Sequence, residues 1–281
     1  MNIQTKASFK KEILAFTRTK MLLIITLVFV GLALFDPLMY RGMGMLVELM
    51  SDTFEEMNIG ADGMIALFTE DASTGVQGFM SDITLMGIII FLLLINGFAG
   101  GEQKKRSIII PRSSGLRSFG YIFPKFIIYP ITAFIISVIG VLVAGSLSAV
   151  IFVNNDLTVG GLLGAGALMG INLALYTCFH LAIGTATGKA GMSAAICIGA
   201  SILVPTFFQL LSTGFDGDLI AYNPFAFISM AYGALYGNAL PISEILITAV
   251  IALGIMVAVY LLALFAQNAR KIDNSGNEMI I

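Results

Sequence analysis

The chain has 281 residues, of which 58% are hydrophobic and only 11% are charged, and its formal net charge is −2. Its mean hydropathy is +0.94, and several apolar runs exceed the ~20 residues that a helix needs to cross a bilayer. Such long, continuous runs exclude membrane-barrel strands, which alternate apolar and polar residues. The sequence therefore predicts an all-α polytopic membrane protein, and so small a net charge gives no indication of nucleic-acid binding.

Residues 1–20 predict a short amphipathic helix on the inner membrane surface. One face of its helical wheel carries Phe9, Ile13, Phe16 and Lys20. Most of the other basic residues lie elsewhere on the wheel, where they can meet anionic headgroups. The alternative is a signal peptide whose apolar core is Met21–Phe35. The long basic leader favours the interfacial helix.

Six apolar runs predict six transmembrane helices within one domain, residues 21–281. The predicted spans are Met21–Phe35, Ile83–Ala99, Phe126–Val153, Leu157–Thr187, Ala190–Leu211 and Ile242–Gln267. With both termini in the cytoplasm, fourteen of the fifteen Lys and Arg residues lie inside and only Arg41 lies outside. Because basic residues in short loops stay on the cytoplasmic side during insertion, we expect a multi-pass protein of the cell (cytoplasmic) membrane with cytoplasmic termini.

Residues 36–82 form a large predicted external segment that is acidic and rich in methionine. Its start follows from Pro37, which we expect just after the end of the first helix. A methionine-rich surface can accommodate varied apolar ligands, whereas the simpler interpretation is that these methionines pack against the ends of the spans. We favour the packing interpretation.

The loop at 101–125, GEQKKRSIIIPRSSGLRSFGYIFPK, carries six of the fifteen basic residues between the second and third spans. Pro111, a Ser-Ser-Gly stretch and the apolar insert Ile108 to Ile110 give it more local structure than a simple linker needs. The basic residues predict that the loop is cytoplasmic. We therefore expect a cytoplasmic partner to act on it.

The fourth span carries small residues at four-residue spacing on more than one face: Gly160, Gly164, Gly166 and Gly170. Such faces let membrane helices pack closely or dimerise. The only histidine, His180, lies in the same span and is a candidate relay or ligand, but with no carboxylate in any predicted span we favour a hydrogen-bonded structural role. Cys178 and Cys197 also fall within spans, which indicates buried free thiols rather than a disulfide or a metal site.

Residues 212–243 form a second predicted external segment. Its apolar stretch, Ala226 to Leu240, is too short to span a bilayer and predicts a re-entrant or interfacial helix pair. The residues Asn223, Pro224 and Phe225 precede that stretch.

Several catalytic motifs are missing from the sequence. The segment Gly184-Thr-Ala-Thr-Gly188-Lys189-Ala190 has too few residues between its glycines for a Walker A loop and no Ser or Thr after the lysine. There is no HExxH, no GxSxG and no pair of aspartates in a predicted span, so we expect no enzymatic activity in this chain. The predicted span interiors contain no charged residues, which argues against a secondary transporter and indicates that energy enters from outside the membrane.

The chain resembles the permease subunit of type 2 ATP-binding-cassette (ABC) exporters over nearly its whole length. The likeness includes six spans, cytoplasmic termini, an N-terminal amphipathic helix and an external re-entrant element. The motif residues that carry it are Glu102, Lys104 to Arg106, Pro111, Lys125 and Asn223-Pro224. Arg106 stands where the family has Gly, and Ser114 stands where it has Arg, with Arg112 and Arg117 as candidate replacements.

The resemblance implies a coupling helix within Ser113 to Phe123 that docks in a groove of a separate ATPase. The implied contact residues are Glu102, Pro111, Arg112, Leu116, Arg117 and Phe119, with Phe123 as a further apolar anchor. Two ATPase subunits would bind ATP and Mg²⁺, this chain would hold no cofactor or metal, and a second permease, identical or homologous, would complete the exporter. Glu102 is expected near Lys10 or Lys11, either as a link to the N-terminal helix or as an ordinary surface ion pair.

The cargo implied is an amphipathic peptide, lipid or drug, a role that would include resistance to antimicrobial peptides. That step rests on analogy, because one membrane scaffold serves many cargoes. Two other functions remain open: a membrane anchor or peptide sensor within a complex, and a secondary transporter.

Overall fold

A computed structural model describes residues 3–50, 71–102, 117–214, 226–237, 242–272 and 278–280. Within these ranges six helices are long and apolar enough to cross a membrane. They are α2 (Met21–Leu49), α3 (Ala72–Gly101), α4 (Ser118–Ile151), α5 (Val159–Thr187), α6 (Ala190–Gly214) and α8 (Ile242–Asn268). The prediction of an all-α polytopic membrane protein is confirmed.

Two shorter helices and a small hairpin accompany the six long helices. Helix α1 (Ile3–Arg18) precedes α2, and helix α7 (Phe227–Leu235) precedes α8. With nine residues α7 is too short to span a bilayer, as the prediction for this region required. Strands β1 (Arg270–Ile272) and β2 (Glu278–Ile280) follow α8 and pair in antiparallel register.

Helix α5 lies at the centre of the bundle. In its most apolar stretch 72% of the residues are buried, compared with 11% in that of α8. Its neighbours are α4, α6, α7, α8 and the end of α3. The exposed apolar faces of α2, α6 and α8 are therefore the faces that meet the bilayer or another protein.

Glycine residues allow α4 and α5 to pack closely. A Cβ atom added to Gly170 would lie 3.1 Å from the Cα atom of Phe134, and one added to Gly166 would lie 3.0 Å from the Cα atom of Val138. Distances this short leave no room for a side chain, so these two glycines lie at a helix contact, as small residues do in membrane bundles.

The other two predicted packing glycines differ from each other. Gly164 faces Ala234 of α7 at 3.6 Å from an added Cβ atom. Gly160 has no neighbour within 4 Å among the described residues, so it makes no packing contact within this part of the chain. The next residue, Gly161, takes the side of α5 that faces α7, 2.8 Å from the Ala234 carbonyl oxygen.

Helices α2 and α3 are longer than predicted. Helix α2 continues through Pro37 to Leu49, so the expected helix end before this proline is wrong. Proline is tolerated inside membrane helices because neighbouring groups satisfy the freed carbonyls. Helix α3 likewise begins at Ala72 rather than Ile83. As a result Asp36 and Asp82 lie within long helices, and the expectation of spans without charged residues is also wrong.

Two π-helical turns interrupt α3, at Ile83–Gly87 and at Gly97–Gly101. The second turn lies against the end of α5, where a Cβ atom added to Gly100 would be 2.6 Å from the Gly184 carbonyl oxygen. Only glycine permits this backbone approach. Such turns occur frequently at functional sites, and this one leads directly into Glu102.

The bundle has two ends, because successive long helices alternate in direction. The α1 end gathers α1, the end of α3, the start of α4 and the end of α8, where the Gln267 amide donates to the Thr185 carbonyl at 2.5 Å. At the opposite end the Ala72 N–H donates to the Asn154 carbonyl at 2.9 Å, and the Ser73 N–H donates to the Asp156 carboxylate at 3.0 Å.

Candidate functional site

The candidate site is a buried cluster of charged and tyrosine side chains at the α1 end. It joins α1, the residue that follows α3 and the first turns of α4. The basic segment 103–116 connects the last two of these elements, so the cluster lies where that segment leaves and re-enters the bundle. We call it the ion cluster; its members are Lys11, Glu12, Glu102, Tyr121, Lys125 and Tyr129.

Lys125 is the central residue of the ion cluster. Its side chain is completely buried, and its Nζ atom lies 3.0 Å from Glu12 Oε1 and 3.0 Å from Glu102 Oε2. The ammonium group also donates to the Phe98 carbonyl at 3.1 Å and stands 5.0 Å from the centre of the Tyr121 ring. A buried ammonium group is tolerated only when paired and hydrogen-bonded, and these four contacts meet that requirement.

Glu12 brings α1 into the ion cluster. The residue is 1% exposed, and its second carboxylate oxygen, Oε2, accepts a hydrogen bond from the Tyr129 hydroxyl at 2.9 Å. Thr5, Ser8 and Phe16 are buried on the same face of α1. That face packs against α4.

The face of α1 that the sequence suggested is only partly buried. Phe16 is 3% exposed and lies edge-on to Tyr129 at 5.3 Å between ring centres. Ile13, placed on the same face by its spacing, is 48% exposed and points away from the protein, as does Leu14. The inward face is centred on Glu12, which pairs with Lys125, and Ile13 and Leu14 are left on the outward face, where the predicted contact with the membrane surface would lie.

Glu102 connects the buried part of the ion cluster to its more exposed edge. Its Oε1 atom accepts a hydrogen bond of 2.6 Å from Lys11, whose side chain is 49% exposed. Burial by itself would raise the pKa of Glu102, but the charge of Lys125 and the hydrogen bond from Lys11 outweigh burial and lower this pKa from 4.5 to about 2. Glu102 is thus a carboxylate at neutral pH, in contact with the N-terminal helix as expected.

Aromatic side chains pack around the buried part of the ion cluster. The ring of Phe98 lies 5.1 Å from that of Tyr129 and 6.1 Å from that of Phe16. Phe123 lies 5.9 Å from Phe9. Rings at these distances pack with favourable edge contacts and lower the local dielectric, which strengthens the ion pairs they enclose.

The predicted contact residues fall into three groups. Arg117 and Phe119 are exposed at the start of α4, where a partner could reach them. Phe123 stacks on Phe119 at 4.8 Å but is half-buried against Phe9 and Tyr260, so it belongs to the bundle rather than to an open contact surface. The others lie outside the described residues: Pro111, Arg112 and Leu116 of the central loop, and Asn223, Pro224 and Phe225 before α7.

Sequence reasoning missed Glu12, Tyr121 and Tyr129 as site residues. Glu12 is one of several charged residues in α1, and Tyr129 lies within an apolar run. The one available signal was the spacing of Thr5, Ser8 and Glu12, which places three polar residues on one face of α1. Lys125 was identified only through the family resemblance.

His180 lies in a separate, smaller polar contact. It is fully buried, and the Ser193 hydroxyl of α6 is 2.9 Å from its Nδ1 atom and donates to its carbonyl at 2.6 Å. This contact ties α5 to α6, which agrees with a hydrogen-bonded structural role. Among the residues that the structure describes, no group of three or more His, Cys, Asp or Glu residues could hold a metal ion.

The ion cluster is suited to holding helices together. Its two carboxylates and two ammonium groups balance in charge, and each side chain binds at least one other member. Because removing one member would leave a buried charge uncompensated, the cluster holds α1, α3 and α4 together as a unit.

Comparison of the chain with protein-family models finds no match, and comparison with curated proteins finds none either.

Proposed function

We propose that this multi-pass membrane protein is the permease subunit of an ABC exporter of the type 2 kind. The observation that carries the proposal is the ion cluster beside both ends of the basic segment 103–116. A partner that moves this segment would act on Glu102 at one end and on the first turns of α4 at the other. Through Glu12 and Lys11 the same movement would reach α1.

The cluster would transmit force because separating its members costs free energy. Breaking a buried ion pair costs about 3–5 kcal/mol, whereas a surface pair contributes about 1 kcal/mol or less. Lys125 and Glu12 are buried, so the first value applies to their pair. A displacement of the basic segment would therefore move α1, α3 and α4 together instead of bending one helix end.

The motor would be a separate pair of ATPase subunits that bind ATP and Mg²⁺, because the sequence has no Walker A loop of its own. A second permease, identical or homologous, would supply the other half of the pathway. The apolar, methionine-rich composition of the chain suits an amphipathic cargo such as a peptide, lipid or drug. Because the ATPase subunits are cytoplasmic, the α1 end would face the cytoplasm, which agrees with the distribution of basic residues.

The experiment is to purify the tagged chain from its native membranes in mild detergent and look for a co-purifying P-loop ATPase with vanadate-sensitive turnover. In reconstituted vesicles, Glu102→Gln and Leu116→Asp should lower transport per ATP hydrolysed while membrane insertion stays normal. The matched control is Glu244→Gln, which removes an exposed carboxylate near the start of α8. Unchanged coupling in both variants, or no associated ATPase, would reject the permease and favour a membrane anchor or sensor.

Proton-driven transport is the second candidate function, and one observation favours it. Asp36 is 6% exposed near the middle of α2, and its carboxylate interacts electrostatically with that of Asp82 in α3. Ionisable residues inside membrane helices often mark ion pathways. Asp36→Asn should abolish transport driven by a proton gradient if this candidate is correct, and should leave ATP-driven transport intact if the permease proposal is correct.

A further inference from the structure

An apolar groove of about 190 Å³ lies between α4, α5 and α8. One wall is a row on α4 that includes Phe126 and Pro130, and the other is a row on α8 that includes Leu253 and Val257. Cys178 of α5 forms part of its floor and is buried. The groove is separate from the ion cluster and has no part in the coupling proposed above.

The shape of the groove matches an extended hydrocarbon chain. On α4 the lining residues run from Phe123 to Pro130, and on α8 they run from Leu253 to Tyr260. Each row covers two helical turns, or roughly 11 Å at the rise of an α-helix. The groove therefore runs along the helix axes, which is the direction in which acyl chains lie in a bilayer.

At the end of the groove nearest the α1 end lies a tyrosine, and a basic residue stands at the start of α4. Tyr260 stands there against Phe126, and its hydroxyl group has no hydrogen-bond partner among the described residues. Arg117, at the start of α4, is exposed. Tyr121 of α4 packs in one cluster with Ala263 of α8, which brings the start of α4 level with the end of α8.

Two more basic residues come directly after the end of α8. They are Arg270 and Lys271, in strand β1. The sequence thus carries basic residues both where α4 begins and directly after α8 ends. Basic residues at a membrane surface attract anionic lipids, each contributing about 1 kcal/mol.

We propose that this groove binds one acyl chain of an anionic phospholipid, with the headgroup at the level of Arg117 and of the basic sequence that follows α8. A lipid ester or phosphate oxygen would accept a hydrogen bond from the Tyr260 hydroxyl. The bilayer is the source of the occupant because α8, which forms one wall, is the least buried of the six long helices. A second copy of the chain would instead have to insert a side-chain row into a narrow channel two turns long.

The first experiment uses tryptophan fluorescence, because the chain contains no tryptophan. Phe126→Trp places a reporter in the groove, and Phe207→Trp is the matched control on an exposed face of α6. Each variant is stripped of lipid in detergent and titrated with dibrominated phosphatidylglycerol or dibrominated phosphatidylcholine. We expect phosphatidylglycerol to quench the groove reporter at a few lipids per protein, with little quenching of the control.

The second experiment uses native mass spectrometry and needs no reporter. Wild-type protein should retain one phosphatidylglycerol molecule, and Val257→Phe, which narrows the groove from its exposed rim, should lose it. Tyr260→Phe should weaken binding about fivefold, the effect of losing one hydrogen bond of about 1 kcal/mol.

The results of these two experiments distinguish between the possible occupants of the groove. Equal binding of the two lipids would overturn the anionic headgroup assignment, and retention of the adduct by Val257→Phe would overturn the groove as the site. Protein that carries no lipid but forms dimers lost in Val257→Phe would show that a second copy occupies the groove.

Discussion

Lys125 shows how one residue defines the site. A lysine side chain with no exposed surface has lost all its water contacts, and its charge is compensated by two carboxylates and one carbonyl. Without these partners the lysine would lose its proton, since burial disfavours the charged form. The surrounding sequence gives no other reason for a charged residue in this apolar part of α4.

Lys125→Met should destabilise the protein by about 3–5 kcal/mol, because it leaves Glu12 buried without a counter-charge. The measurement is thermal or denaturant unfolding in detergent. Lys189→Met, which removes an exposed lysine, should change stability by less than about 0.5 kcal/mol. Adding Glu12→Gln to Lys125→Met should recover part of the loss, and a double variant whose loss is the simple sum of the two single losses would contradict direct pairing.

The stability of the ion cluster should depend on acid through Glu102. Its pKa is about 2 in the folded protein and ordinarily 4.5, so the folded state favours the ionised form. The resulting stabilisation is fully present above pH 4.5 and is lost as pH falls toward 2, with a total on the order of 3 kcal/mol. Glu102→Gln should remove this part of the acid dependence, so identical stability profiles for the variant and wild type between pH 5 and about 2 would contradict the assignment.

Helix α5 is held by contacts that only small residues allow. Gly170→Ala should cost about 1–3 kcal/mol, because its Cβ atom would meet the backbone of Phe134 and force α4 and α5 apart. The matched change Gly160→Ala meets nothing within 4 Å and should be neutral or slightly stabilising. The measurement is the unfolding midpoint of each variant. Equal midpoints for the two variants would argue against the close contact between α4 and α5.

The sequence predicted the long helices well but not where they end. Apolar runs identify spans because a bilayer demands about 20 such residues, and this requirement is local. Pro37 does not end α2, because packing in the bundle satisfies groups that proline leaves unpaired. The ion cluster was only partly predictable, since Glu12 and Tyr129 are 117 residues apart and neither sequence neighbourhood indicates the other.

At the scale of the whole molecule, the fold places the ion cluster at one end of the bundle. The ion cluster, the start of α4 and the end of α8 lie at the α1 end, whereas the Asp36 and Asp82 pair lies toward the opposite half of α2 and α3. A movement imposed at the α1 end would reach the rest of the bundle through α3 and α4 and through α5, which contacts most of the other long helices. The tight glycine contacts of α5 favour rigid-body motion over local bending.

The proposed orientation of the molecule, with the α1 end in the cytoplasm, can be tested with single cysteines. Lys6 and Lys189 are exposed at the α1 end, and Asn154 is exposed at the opposite end. The native Cys178 and Cys197 are buried and should not react. If the basic end is cytoplasmic, a membrane-impermeant maleimide should label Asn154→Cys in intact cells, but Lys6→Cys and Lys189→Cys only after permeabilisation. Labelling of both lysine variants in intact cells would invert the orientation, and labelling of only one of them would contradict the fold.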